Sequence, residues 1–400
     1  MQNTPVWSTH TSTLHPLIAA YTVGDDVVYD QKLLGYDIRA TKAHCHMLAS
    51  VGLLTQTEAT QLSNALDALR HAWEAGEFTV TDEYEDGHSA IEAYLTDALG
   101  TVGKKVHTAR SRNDQALVMM RLYLKDMLAK TSAQLDHLAD AFVAQAHTHQ
   151  TTPMPGYTHT QKAMPTTVGA WLGSFGDALH DQAQYLTTIV PVIDQNPLGS
   201  AAGFGVSLPL DRAVTTRELG FAKTQQNPMY CGLSRGIFEL MAVQALVPSM
   251  TIAGKFATDM LLFTAQEYGF FGLPASLTTG SSIMPHKHNY DVFEIVRANA
   301  HSFGQYTLQL QTVAGGVGSG YHRDLQLTKK PTVDAFTLAL ATLEVLQLVV
   351  SELVVYPAAL KRAMTDELLS VQRINELVAT GVPFRDAYHQ VKQTLTKTHQ

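Results

Sequence analysis

From Asp114 to His147 the apolar residues Leu117, Met120, Leu124, Leu128, Leu135, Leu138 and Phe142 recur at spacings of three, four and seven. That rhythm aligns them on one face of a helix. The stretch holds neither Pro nor Gly, so it predicts one long helix. Three further segments, Thr166 to Asp194, Ser234 to Ala265 and Pro331 to Tyr356, predict long helices that are apolar on more than one face. Such helices need cover on several sides. One chain of this length struggles to supply it, so the pattern predicts packing against further copies of the chain. Pro248, inside the third of these helices, predicts a kink. Alternating runs of β-branched residues bounded by turn residues are few, so strand is a minor component. The expected fold is all-α, in three mostly helical domains. Residues 1–110 form an N-terminal helical domain, 111–360 a central long-helix bundle, and 361–400 a short C-terminal helical domain.

Composition changes this picture little but excludes much. The chain has 400 residues, 45 % of them apolar, and a formal net charge of −8. No basic balance or basic cluster stands out, which argues against nucleic acid as a partner. A small molecule and further copies of the chain are the expected partners. Two cysteines, Cys45 and Cys231, make no disulfide framework and suit a reducing compartment. MQNTPVWSTH lacks a basic region followed by an apolar run, so no secretory signal is read there. Phe336 to Tyr356 is apolar enough to raise a membrane question, but Glu344, Gln347 and Glu352 interrupt it. It reads as a buried bundle helix, and the expected location is the cytoplasm. Two glycine-rich stretches, Leu198–Gly205 and Ala314–Asp324, match neither a P-loop nor a dinucleotide-binding turn.

Four polar clusters carry the candidate chemistry. EDGHSAIE (Glu85–Glu92) has a structural explanation, since Ser89 with Glu92 three residues on fits a capping box. That explanation covers His88 least well. HTARSRNDQ (His107–Gln115) precedes the first long helix, where free backbone N–H groups and two guanidinium forks, Arg110 and Arg112, would suit a carboxylate. GYTHTQKAMPT (Gly156–Thr166) puts Thr158 and His159 in a turn-like segment that runs into the second long helix. GSSIMPHKHN (Gly280–Asn289) reads as a loop, from its Gly and Pro. Lys287, Asn289 and backbone donors near Ser281 and Ser282 make it look like an oxyanion trap with a hydroxyl beside it. No nucleophile elbow, C-x-x-C or H-E-x-x-H occurs, and no metal is expected. His44, Cys45 and His46 are neighbours whose side chains diverge on a helix. Anion-holding donors, a hydroxyl and histidines together suit proton abstraction next to a carboxylate.

GSSIMPHKHN resembles the signature loop of the fumarase/aspartase superfamily, GSSxMPxKxN, with seven identities in ten residues. HTARSRNDQ, GYTHTQKAMPT, LGSAAGFGVSLPLDR, YHRDLQLTKK and VVYDQKLLGYDIRATKAHCHML are each similar to blocks of the argininosuccinate lyase family, in that family's order, from about Gly24 to about Val391. The resemblance implies a central bundle that pairs into a homotetramer, active sites shared between subunits, and no cofactor. It implies reversible elimination of argininosuccinate to arginine and fumarate, a step of arginine biosynthesis. By position, Ser281 would be the base and Lys287 and Asn289 would hold the carboxylate that gains charge. Thr158 and His159 would line the leaving-nitrogen side, and His159 would pair with Glu294. His159 is one candidate for the acid. Ser111, Arg112 and Asn113 would bind substrate from another subunit. Tyr321, Gln326 and Lys329 would complete the pocket, with His88 a further candidate. Asp30 would face the guanidinium of the arginine half.

Some positions depart from the family pattern. The loop reads HKHNYD where QKKNPD is common, Arg235 is flanked by Ser234 and Gly236 rather than acidic residues, and Asp26 replaces a serine that usually touches substrate. The C-terminal domain is expected to be truncated relative to the family. These departures leave three alternatives beside the main reading. One is a related lyase releasing fumarate from another N-substituted aspartate. The others are an inactive structural homologue of the lens-crystallin kind and a binding protein without turnover.

Overall fold

The residues that repeat along 114–147 are the ones the fold buries. In the computed structural model, which describes residues 15–81 and 83–398, a helix of 37 residues runs from Arg112 to Thr148, and its seven periodic apolar positions are all buried. The opening residues read for a targeting signal lie outside the described part. In chain order the helices are α1 (Pro16–Val23), α2 (Asp26–Ser50), α3 (Gln56–Glu74), α4 (Gly87–Leu99), α5 (Arg112–Thr148), α6 (Val168–Ile193), α7 (Arg212–Glu218), α8 (Pro228–Leu233), α9 (Ile237–Phe263), α10 (Asp291–Ser302), α11 (Gly304–Gly315), α12 (Lys329–Ser351), α13 (Pro357–Ala363), α14 (Ser370–Ala379) and α15 (Phe384–Thr398). The fold is all-α, as expected.

The four long helices expected from the pattern are α5, α6, α9 and α12, and their ends differ from the expected ones for identifiable reasons. α6 starts at Val168 rather than Thr166, because Gln161–Thr167 is a strand, β2, paired antiparallel with β1 (Pro153–Thr158). α9 starts after Gly236, whose φ of +81° breaks the helix. α12 stops at Ser351 because Val354–Val355 pairs with Phe271–Gly272. It starts at Lys329, and Pro331 falls in its first turn, where a missing N–H leaves no bond unmade. α9 is assigned as one helix through Pro248.

The β1–β2 hairpin is the main departure from the expected turn-like segment. Its turn is His159–Thr160, both left-handed, at φ +54° and +60°. That geometry matches the twist of a two-residue hairpin. The remaining strands are two residues long: Gln195–Asn196 pairs parallel with Lys223–Thr224, and Thr279–Gly280 pairs antiparallel with His288–Asn289.

Two compact units divide the chain. The first comprises Met1–Thr131, Tyr185–Val247 and Phe303–Leu338, and the second Ser132–Gln184, Pro248–Ser302 and Ala339–Gln400. These units cut across the expected domain boundaries along the chain, because each long helix contributes residues to both.

In the first unit α2 is clasped on two faces. Leu34, Ile38, Cys45 and Leu48 pack with Leu62, Leu66 and Leu69 of α3 and with Ile91 and Leu95 of α4. Ala40 and Ala43 pack with Val118 and Leu122 of α5. α4 begins on Asp86, whose carboxylate accepts the Ser89 N–H at 2.7 Å. The cap is therefore Asp86 and not Ser89, which itself donates its hydroxyl to Asp86. The second unit is built around aromatic rings. Trp171 stacks on Phe271 at 4.9 Å, and Phe142 meets Phe256 edge-on at 4.9 Å. Two helical stretches, Ile237–Phe263 and Arg323–Ser351, are long and apolar enough to cross a membrane by length and composition. Only 56 % and 50 % of their most apolar windows are buried within the chain.

Candidate active site

α2 carries three acids along one side, Asp26, Asp30 and Asp37, at spacings of four and seven. All three point toward charged partners within the first unit. Lys329, at the start of α12, brings its ammonium to Asp30 and, at 2.8 Å, to Asp26. The second oxygen of Asp30 accepts the Gly87 N–H at 2.8 Å. Asp30 is 1 % exposed and both its oxygens are engaged, so it is not left to face a guanidinium. That expectation fails because the carboxylate is needed to neutralise Lys329, which is itself buried. Burial works against the Lys329 ammonium, but Asp30 and Asp26 outweigh it and hold its pKa above the usual lysine value.

One turn of α4 supplies the next layer. His88 Nδ1 lies 2.5 Å from Asp37. Burial opposes a charge on the ring, yet Asp37, Asp86 and Asp30 together raise its pKa. Glu85 and Asp86 flank the start of α5. Arg112 there reaches Glu85 at 2.6 Å, Asp86 at 3.5 Å and the Ser89 hydroxyl at 2.9 Å. Arg110 does not join it. Its guanidinium turns inward and donates to Thr41 Oγ1 at 2.9 Å and to the Val106 carbonyl at 3.1 Å. The expected two-fork anion site is thus a single arginine already facing carboxylates.

The start of α5 is fixed by Asp114. This buried carboxylate accepts N–H groups from Ser111, Gly199 and Ala201, each at 3.0 Å. It ties one glycine-rich stretch to the helix that carries Arg112 and Asn113. The other glycine-rich stretch contains Tyr321, whose ring lies 5.0 Å from the Arg235 guanidinium.

These groups enclose two adjoining cavities. One, of about 310 Å³, is lined by Asp26, Asp30, Glu85, Asp86, His88, Arg112, Asn113, Ala116, Arg235, Tyr321, Arg323, Gln326 and Lys329. The other, of about 210 Å³, is walled by Ala201–Phe204, Met229, Gly232 and Ser319–Tyr321, and shares Asn113, Arg235 and Tyr321 with the first. Seven of the candidate residues, Asp30, His88, Arg112, Asn113, Tyr321, Gln326 and Lys329, therefore meet at one cavity. Ser111 sits at the same helix start without lining either cavity. Glu85, Asp86, Arg235 and Arg323 line it but were not singled out as site residues. The run of acids around His88 was the available signal for the first two. A cavity with acids and bases interleaved suits a small zwitterion.

The other candidates belong to the second unit. Thr279–Gly280 and His288–Asn289 clip the signature loop at its ends. Ser281 Oγ accepts the N–H groups of Met284 at 3.0 Å and Ile283 at 3.3 Å, so the hydroxyl caps a turn of its own loop. Asn289 donates to Thr279 at 3.4 Å, and Thr279 in turn donates to Asp291. Lys287 is exposed, as are Thr158, His159 and Glu294. Among the described residues the side chains of His159 and Glu294 are not hydrogen-bonded to each other, so the inferred pair is not made within one chain.

A family profile described as "Lyase" matches residues 12–302. Curated relatives named argininosuccinate lyase align along nearly the whole chain. The one from Thermotoga neapolitana is 41 % identical over 384 residues, covering 95 % of this chain and 96 % of the relative. Those from Xanthomonas campestris pv. campestris and Sorangium cellulosum are 44 % and 45 % identical over 371 residues, covering 93 % of this chain and 86 % of each relative. Among solved structures, EDDS lyase in complex with formate superposes with a TM-score of 0.80 at 23 % identity, over 97 % of this chain and 77 % of its own. A fumarate lyase:delta crystallin from Brucella melitensis, bound to cobalt, gives 0.79 at 18 % identity, over 96 % and 89 %. These two similarities speak for the fold alone.

Proposed function

This chain belongs to the argininosuccinate lyase family and is a carbon–nitrogen lyase, and we propose that the charged cavity of its first unit seats the amine half of argininosuccinate. The reaction is the reversible elimination of argininosuccinate to arginine and fumarate, which belongs to arginine biosynthesis. The observation that carries it is the identity of 41–45 % with argininosuccinate lyases along almost the full chain.

Elimination removes a proton from the carbon next to a carboxylate, and the intermediate loads extra negative charge onto that group. Ser281 is the proposed base. It needs its pKa lowered to act, and the nearby loop donors and Lys287 supply the charge environment. Lys287 and Asn289 hold the carboxylate that gains charge, each such donor being worth roughly 10²–10³ in rate. Thr158 and His159 line the leaving-nitrogen side, and Glu294 orients His159 from another chain. Arg112, Asn113, Tyr321, Gln326 and Lys329 bind substrate, with Ser111 positioning the start of α5.

A homotetramer with shared sites, in the cytoplasm, fits this reading. Its support is the half-open apolar helices of the single chain and the similarity to argininosuccinate lyases along nearly the whole chain. The test is the ultraviolet absorbance of fumarate on adding argininosuccinate. We expect a rising signal that Ser281→Ala abolishes while the oligomer persists. Comparable turnover in that variant would remove Ser281 as the base. Fumarate arising only from other N-substituted aspartates would reassign the amine.

A further inference from the structure

The signature loop meets α10 at Tyr290, one of the positions where this chain departs from the common pattern. Tyr290 is the single residue between the strand His288–Asn289, which clips the loop, and the start of α10 at Asp291. Its carbonyl accepts the Phe293 N–H at 3.0 Å, so its backbone belongs to the first turn of α10. Its half-buried ring leans on Phe293, with centroids 6.4 Å apart and planes at 31°. Phe293 is fully buried and meets Phe256 of α9 edge-on at 6.1 Å. Tyr356 stands near the same ring: burial pushes the pKa of the Tyr290 hydroxyl up, and Tyr356 adds to it. Tyr356 is itself held. Its N–H donates to the Phe270 carbonyl at 2.9 Å, and an added Cβ at Gly272 would meet its hydroxyl at 2.7 Å. The Tyr290 ring thus sits on anchored aromatic neighbours, and its hydroxyl makes no hydrogen bond among the described residues.

We propose that Tyr290 is a positioning residue for the elimination: its ring pins the C-terminal root of the signature loop to the aromatic core of the second unit, and so sets where Asn289 and, through the clip, Ser281 and Lys287 stand. The connection is short. Asn289 is joined to Tyr290 by one peptide bond and donates to Thr279 at 3.4 Å. The Gly280–His288 rung leads directly into Ser281 and Lys287. A displacement of about 1 Å at a reacting group can cost roughly a hundredfold in rate, so a small turn at the root matters. The same restraint could come from the backbone. Asn289 lies in a strand, the extended conformation that a following proline favours, and proline fixes its own φ. The inference rests on the proposal that this loop carries the base.

The test measures fumarate release and amide hydrogen exchange across residues 279–289 in full-length Tyr290→Ala, Tyr290→Phe and Tyr290→Pro. Tyr290→Ala should speed exchange and lower kcat, each by roughly threefold to tenfold, the weight of one aromatic contact. KM should move less, because the displaced groups act on charge that builds up in the transition state. Tyr290→Phe keeps the ring and should retain both values. Tyr290→Pro should recover much of both losses without a ring, since it stiffens the same link. If Tyr290→Ala keeps wild-type exchange and kcat in an active enzyme, this inference alone is overturned. It is equally overturned if Tyr290→Pro is as impaired as Tyr290→Ala, because the ring then acts only by filling the core. A wild type that releases no fumarate from argininosuccinate overturns the functional reading and this inference with it.

Discussion

At the scale of residues, the first unit is organised by ion pairs that no hydrophobic pattern announces. His88 and Asp37 are 51 positions apart and meet at 2.5 Å inside the protein. The raised His88 pKa has a consequence for stability. A histidine whose folded pKa exceeds its unfolded value stabilises the fold fully below about pH 6.5 and loses that contribution as pH rises through the folded pKa. Replacing one member of such a buried pair costs about 3–5 kcal/mol. We expect His88→Gln to lower the urea midpoint strongly at pH 6 and less at pH 9. Equal losses at both pH values would show that the ring is not charged in the fold. The chemistry-bearing residue types were legible at this scale, but their partners were not. Asp30 looked like a substrate contact because a lone acid in a motif block has no visible counterion, and Lys329 lies 299 positions away.

Among elements, the long helices were readable and the short strands were not. Periodicity reports a face that is buried along many turns, as on α5. Two-residue strands carry no period at all, and β1 and β2 contain Pro153, Pro155 and Pro165, which mimic loop. A bulge between Pro155 and Tyr157 shifts the register, and an added Cβ at Gly156 would approach the Met164 carbonyl to 2.9 Å. The hairpin turn stores strain in a β-branched residue, since Thr160 has φ +60°. Thr160→Gly should therefore stabilise the protein by up to about 1 kcal/mol, read as a higher urea midpoint. An unchanged or lower midpoint would mean that surrounding contacts already offset the strain.

For the whole molecule, the pattern foresaw helices with more apolar surface than one chain covers. Leu348 is 50 % exposed on α12 and Leu308 65 % on α11. Leu348→Glu is expected to give a lower-mass species by sedimentation and to lose activity with it. An unchanged mass would take that face out of the assembly. Mixing an Arg112 variant with a Ser281 variant, each inactive alone, should restore part of the activity after subunit exchange. No recovery in any mixture would count against shared sites. Sequence could name the residues of the first unit's cavity but not their meeting there, because that depends on contacts hundreds of positions apart, as between Lys329 and Asp30.

The clip on the signature loop carries a further consequence. Gly280 and His288 form a rung of a small ladder, and Ser281 and Lys287 are the first residues beyond it on either side. Each is one peptide link from a fixed point, about 3.8 Å between Cα atoms. Ile283, 84 % exposed, and Met284 lie farther out. Any swing of the loop pivots on that rung, so displacement grows with distance from it, as along an oar. The blade sweeps apolar side chains through a wide arc, while the backbone of Ser281 and Lys287 stays close to the rowlock.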